Sequence, residues 1–170
     1  ELNTETAETL VQSPETAQAL GQSDPGAAAL ARYVQRSGCY PVYDHTAVTY
    51  FPLGEDKFRE MLIQLEQAKR FIFLEYFIIA EGSMWSDVLD ILTEKAAAGV
   101  EVRVIYDGVG SAPTLPSDYP QQLAQKGIRC QEFQPFRPLL SIHQNNRDHR
   151  KFCIIDGHTA FTGVQNILLI

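Results

Sequence analysis

His149-Arg150-Lys151-Phe152-Cys153-Ile154-Ile155-Asp156-Gly157, followed by Thr159-Ala160-Phe161-Thr162, is the stretch on which the fold turns. β-Formers on either side of an Asp-Gly pair read as a hairpin: Lys151–Ile155, a turn at Asp156-Gly157, then Thr159–Thr162. Side chains alternate faces along an extended strand. His149 and Lys151 therefore point one way, and Asp156 points the other, toward a turn-fixing role.

The chain upstream supplies partners for this hairpin. Arg70–Ile79 is a continuous apolar and aromatic run broken by Glu75, the pattern of a strand covered on both faces. Val100–Tyr106 reads as a second buried strand ending at Asp107-Gly108, and Ile128–Phe133 as a short third. Between them lie helical segments: Glu55–Lys69, with Phe58, Leu62 and Leu65 at helical spacing; Trp85–Ala98, closed by Gly99; and Tyr119–Lys126, closed by Gly127. Strands alternating with helices predict an α/β sheet with helices on its faces. Ala47–Phe51 is rich in β-formers and is expected as one more strand, and Ala27–Arg36 as a short helix closed by Gly38. Residues 1–25, rich in Thr, Glu, Gln, Ala and Ser, read as a flexible tail or linker with at most one fraying turn. The expected division is thus a tail over 1–25 and one domain over 26–170.

Composition narrows the function. The 170 residues are 45% hydrophobic and 21% charged, an ordinary globular balance, with a formal net charge of -7. An acidic chain disfavours a nucleic-acid partner, since phosphate backbones are bound by a Lys and Arg surplus. Cys39, Cys130 and Cys153 are odd in number and far apart, which gives neither a disulfide framework nor a zinc site. Cys153, inside an apolar run, reads as a buried thiol. No stretch approaches the roughly 20 apolar residues of a membrane span. The first residue is Glu1, so a processed or cut chain is expected, and the chain by itself is expected to be soluble.

The chemistry-bearing residues cluster near the hairpin. A fixed ammonium at Lys151 can neutralise a non-bridging phosphate oxygen. An imidazole at His149 can attack phosphorus and form a covalent phosphohistidine that a second alcohol resolves. Gly163 and Asn166 complete an H-x-K, four residues, D-G, then G-x-x-N spacing. Glu75 interrupts a buried strand and needs a partner, either as a carboxylate behind His149 or as one paired with an arginine. Asp107 stands at a strand end, where α/β sheets place ligands and where turns also need capping. His143, Asn145 and Arg147 crowd the approach to the motif, as head-group or loop hydrogen-bonding residues. Pro135-Phe136-Arg137-Pro138-Leu139-Leu140-Ser141-Ile142 reads as an apolar loop, either folded on the core or forming a lip toward lipid.

The stretch 149–166 resembles the phospholipase D superfamily signature, H-x-K-x4-D followed by G-G-x-N. The likeness to bacterial cardiolipin synthases is broader, over roughly Gly38 to Asn166. Tyr40-Pro41-Val42-Tyr43, Thr49-Tyr50-Phe51-Pro52-Leu53-Gly54-Glu55, Phe73-Leu74-Glu75-Tyr76-Phe77-Ile78-Ile79, Val102-Arg103-Val104-Ile105-Tyr106-Asp107-Gly108 and His143-Gln144-Asn145-Asn146-Arg147-Asp148-His149-Arg150-Lys151 carry it. The resemblance implies a phospholipase D-like mixed sheet flanked by helices, present as a single first-half unit that is incomplete at its C-terminal end. It implies condensation of two phosphatidylglycerols to cardiolipin and glycerol, with His149 as nucleophile or acid and Lys151 and Asn166 on the phosphate. Asp156 completes the motif as its third catalytic residue, and Gly163 lies beside the phosphate. No metal or other cofactor is implied.

The implied partners are anionic phospholipid, a membrane surface, and a second catalytic half or a homodimer mate. The implied location is the cytoplasmic face of a bacterial membrane. Three departures stand out. The second glycine of the signature is Val164, a crowding residue for a phosphate pocket. The acidic run that follows in the family is Ile167-Leu168-Leu169-Ile170 here. One motif is present where family members carry two. The alternatives are a single-motif phosphodiesterase or nuclease that completes its site by homodimerisation, and an inactive truncated piece.

Overall fold

The computed structural model describes residues 8–38, 40–135 and 146–167. The chain divides into two compact units, residues 1–50 and 51–170. In the first, α1 (Pro14–Ser23) and α2 (Pro25–Gly38) are consecutive helices. Ser13 caps α1: its Oγ accepts from Thr16 N at 3.1 Å, and Pro14 fits the first turn, where no N–H is needed. Asp24 starts α2 by accepting from Ala27 N at 2.9 Å. Residues 14–23 are therefore a full helix where a tail with one turn was expected. The capping pattern Ser-Pro-Glu outweighs the polar composition.

Ala47–Phe51, expected as a strand, joins no sheet. Val48 and Tyr50 are 88% and 85% exposed, so their β-propensity finds no pleated surface to pack on.

The second unit holds a five-stranded sheet of order β3-β2-β1-β4-β5. The strands are β1 (Phe71–Tyr76), β2 (Glu101–Asp107), β3 (Arg129–Phe133), β4 (Lys151–Ile155) and β5 (Thr159–Thr162). Helix α3 (Gly54–Glu66) precedes β1, α4 (Ser83–Ala97) joins β1 to β2, and α5 (Tyr119–Gln125) joins β2 to β3. β1, β2 and β3 run parallel, as helical crossovers require. β4 runs antiparallel to both β1 and β5. The β4–β5 turn uses Asp156 at φ 55° and Gly157 at φ 80°, and His158 N donates to Ile155 O at 3.2 Å. Two consecutive left-handed residues are what a tight hairpin needs to match strand twist. The mixed sheet expected from the sequence is the sheet observed.

One face of the sheet carries the core. Ile72, Leu74 and Tyr76 of β1, Val102 and Val104 of β2, and Cys153 and Ile155 of β4 pack with Leu65 of α3, Val88 and Leu92 of α4, and Leu123 of α5. The Cys153 thiol is fully buried there, and burial pushes its pKa up to about 12. The opposite face is only half-buried, which corrects the expectation that β1 is covered on both sides. Phe71 and Phe73 stack on each other at 4.6 Å between centroids, with the Arg103 guanidinium 4.9 Å above the Phe73 ring. A continuous apolar run also arises when exposed aromatics pair and a cation covers them.

Candidate functional site

Residues 146–150 run extended into β4 and are held from two sides. Asp107, fully buried at the carboxyl end of β2, accepts from the N–H groups of Val109, Gly110 and Asp148, each at 2.9 Å. Arg147 Nη1 adds a fourth bond to it at 3.3 Å. On the half-buried sheet face, Arg150 Nε lies 2.6 Å from Glu75 Oε1 and 3.0 Å from Asp148 Oδ1. A buried carboxylate at the end of β2 thus holds the backbone before His149, and a half-buried one near the end of β1 holds the Arg150 side chain after it.

His149 projects outward and is exposed. Its ring centroid is 4.9 Å from that of Phe77, just beyond β1. Lys151 is 4% exposed. Its Nζ donates to His149 O at 2.6 Å and sits 5.2 Å from the same Phe77 centroid. Imidazole and ammonium therefore meet around one aromatic ring, on the side of β4 that alternation assigns to both. Burial pushes the Lys151 pKa below its usual value, with the Asp148 carboxylate opposing. Bonded to one carbonyl, the ammonium keeps donors for an incoming anion.

Asn166 joins from the other side. Its Oδ1 accepts from Ile78 N at 3.2 Å, and Ala80 N donates to Ile167 O at 3.1 Å, so the segment after β5 is tied to the residues following Phe77. Gly163 approaches α3: a Cβ on it would lie 3.3 Å from Lys57 Nζ. Val164 is 96% exposed and crowds nothing within the protein.

The remaining sequence candidates separate. Asp156 lies at the far end of β4 from Lys151, and its carboxylate accepts from the N–H groups of Lys69, Arg70 and Phe71 at 2.7–2.9 Å. That occupancy makes it a clamp between the hairpin turn and the start of β1, in line with alternation and against a place among reacting groups. Arg147 is engaged by Asp107 and by Gln134 O at 3.4 Å. Glu75 contacts the neighbours of His149, on the opposite side of the strand. His143, Asn145 and the apolar loop 136–143 fall outside the described residues. Sequence reasoning did not single out Phe77, Asp148 or Lys57. An aromatic in an apolar run and a lysine on an amphipathic helix read as core and solvated surface.

Glu75 and Asp148 form one titrating unit. Burial, the hydrogen bond to Asp148 and its charge raise the Glu75 pKa to about 7, with Arg150 opposing. Glu75 Oε1 is ion-paired with Arg150 Nε at 2.6 Å but out of line for a hydrogen bond, and Asp148 Oδ2 is buried without a donor; a proton on Glu75, shared with Asp148, is the expected donor between the two carboxylates. A carboxyl whose folded pKa exceeds its unfolded value stabilises below the unfolded value, and the contribution is lost as pH rises through the folded one. Stability is thus expected to fall between about pH 4.5 and 7 by on the order of 1–2 kcal/mol after solvent screening. Glu75→Gln, which carries its own donor, flattens that fall. Urea midpoints of both proteins across this range measure it, and equal slopes would refute the shared proton.

The family description "Cardiolipin synthase, PLD-like domain" matches residues 61–168. An uncharacterized protein of Streptococcus mutans is 53% identical over 138 residues, covering 81% of this chain and 30% of the relative. Cardiolipin synthase 1 of Bacillus cereus is 38% identical over 139 residues, covering 81% of this chain and 27% of that protein. The chain therefore spans about three-tenths of the length of these relatives. Among solved structures, NucT from Helicobacter pylori superposes with a TM-score of 0.50 at 16% identity, over 67% of this chain and 69% of that one. That likeness is one of fold. With the paired His149 and Lys151 and the match over 61–168, the chain belongs to the phospholipase D-like domain family of cardiolipin synthases.

Proposed function

We propose that this domain supplies one half of the active site of a phosphatidyl transferase that converts two phosphatidylglycerols to cardiolipin and glycerol. The observation that carries this reading is the meeting of His149 and Lys151 around Phe77. The imidazole attacks phosphorus, and the bond from phosphorus to the glycerol oxygen breaks. Glycerol leaves after taking a proton, and the phosphatidyl group remains on His149. A hydroxyl of the second phosphatidylglycerol then gives up its proton, attacks phosphorus and frees the histidine. Lys151 and the Asn166 carboxamide hold the non-bridging oxygens throughout. The proton donor and acceptor must come from a second group, which in this reading is a second motif or a second copy of the domain. Among the described residues no helix is long and apolar enough to cross a membrane.

The test mixes the purified chain with phosphatidylglycerol vesicles and, separately, with a single-stranded oligonucleotide. Trace cardiolipin is expected, with a rate that rises as the square of protein concentration if two copies complete the site. Robust cardiolipin formation at first order would overturn the half-site. Oligonucleotide cleavage without cardiolipin would replace the transferase with a phosphodiesterase.

A further inference from the structure

Val164 stands where the signature has its second glycine, and its side chain is almost wholly exposed. One exposed valine is ordinary on a protein surface. Its company is not. Among the described residues of the second unit, four large apolar side chains are exposed: Leu53, Ile63, Val109 and Val164. Ile63 lies in the second half of α3. The other three gather near Phe77, the ring around which His149 and Lys151 meet. Val109 precedes Gly110, where a Cβ would lie 2.9 Å from the Phe77 ring. From the segment after β5, Asn166 accepts from the N–H of Ile78, the residue following Phe77, and Val164 is two residues before Asn166. Leu53 precedes Gly54, where a Cβ would lie 2.9 Å from the amide of Gln165, the neighbour of Val164. Exposed apolar side chains from three separate segments thus border the reactive pair.

The chemistry of this rim selects its occupant. A nucleic acid is met by rows of Lys and Arg on its phosphates, and these three positions carry none. A stable contact with a second protein chain needs about 800 Å² per partner, more than three side chains of this size offer. A phospholipid bilayer asks for the combination that is present. A cation and a nucleophile meet the phosphodiester at the head-group level, and apolar side chains around them enter the boundary between head groups and acyl chains.

We infer that Val164, Leu53 and Val109 form an apolar rim that seats the reactive pair on a phospholipid bilayer by shallow insertion at the head-group boundary. This rests on the phosphatidyl transferase reading. The experiment measures flotation of the chain with vesicles of phosphatidylglycerol and phosphatidylcholine, and separately its binding of dihexanoyl phosphatidylglycerol below the micelle concentration. Val164→Ser is expected to weaken vesicle binding by about fivefold to tenfold, the worth of withdrawing one valine from apolar contact. Adding Leu53→Ser takes the loss to about thirtyfold or more, whereas Ile63→Ser changes nothing. Affinity for the monomeric lipid is retained in each. In Val164→Trp the new indole emission moves to the blue when vesicles are added, while Trp85 is already buried and does not respond. Undiminished flotation of the double variant, or an emission that does not move, would overturn the inference. So would loss of monomeric lipid binding in step with flotation, which places Val164 in the substrate pocket. Intact flotation with loss of self-association overturns it too, and makes the rim an interface between copies. A wild type that binds the monomeric lipid but not vesicles defeats the inference alone. A wild type that does not bind the monomeric lipid removes the transferase reading itself, whatever the vesicles show.

Discussion

His149→Ala is expected to abolish phosphatidyl exchange in any form of the protein that turns over, by on the order of 10⁴-fold, the loss that follows removal of a covalent nucleophile. The wild type quenched during turnover is expected to carry a phosphatidyl adduct on His149, detectable as an acid-labile mass increment on the 149-containing peptide. His149→Ala carries none. The side chain is exposed, so its removal leaves the fold intact and the loss reads as chemistry. Asp156→Asn provides the contrast. Its carboxylate holds three backbone N–H groups at the other end of β4. The substitution is expected to lower stability by about 1 kcal/mol while exchange per folded molecule persists. Near-normal turnover by His149→Ala, or loss of the chemical step in a folded Asp156→Asn, would reverse these assignments.

The contrast also shows what the primary structure makes legible. Strand alternation is strict, so H-x-K and the distance to Asp156 were enough to place His149 and Lys151 together and Asp156 elsewhere. Helix periodicity and the terminal glycines Gly99 and Gly127 located α4 and α5 to within about two residues. What failed did so for want of long-range information. Ala47–Phe51 has the composition of a strand, but a strand exists only with a ladder partner. Phe71 and Phe73 look buried until their mutual stacking and the Arg103 cation are seen. In the sequence Glu75 fits either a carboxylate behind His149 or a partner for an arginine. It contacts Arg150 and Asp148, which flank the histidine, and so combines the two. Phe77 stands out in the sequence only as part of a resembling segment, because the His149 and Lys151 groups it meets lie about 70 residues away.

Asp107→Ala is expected to be among the most destabilising single substitutions in the domain. The side chain is fully buried and accepts four hydrogen bonds, three from backbone N–H groups and one from Arg147. Alanine leaves those donors facing a void, and each buried unsatisfied donor costs about 1–3 kcal/mol. It also strands the Arg147 guanidinium, whose Nε already lacks a partner. A total of about 3–5 kcal/mol is expected, a large part of the 5–15 kcal/mol that holds a typical domain together. Asp107→Asn costs less but still misplaces its N–H2 against one of the donors. The effect extends to function through position. Asp148 N is one residue from His149, so releasing it frees the chain that presents the imidazole beside Lys151. Urea denaturation measures the stability loss. Amide hydrogen exchange at 146–150, taken under conditions where the variant remains folded, measures the release. If Asp107→Ala shifts the urea midpoint by no more than a surface substitution does, or leaves 146–150 as protected as in the wild type, then the 146–150 segment is held by Glu75 and Arg150 rather than by the carboxylate at the end of β2.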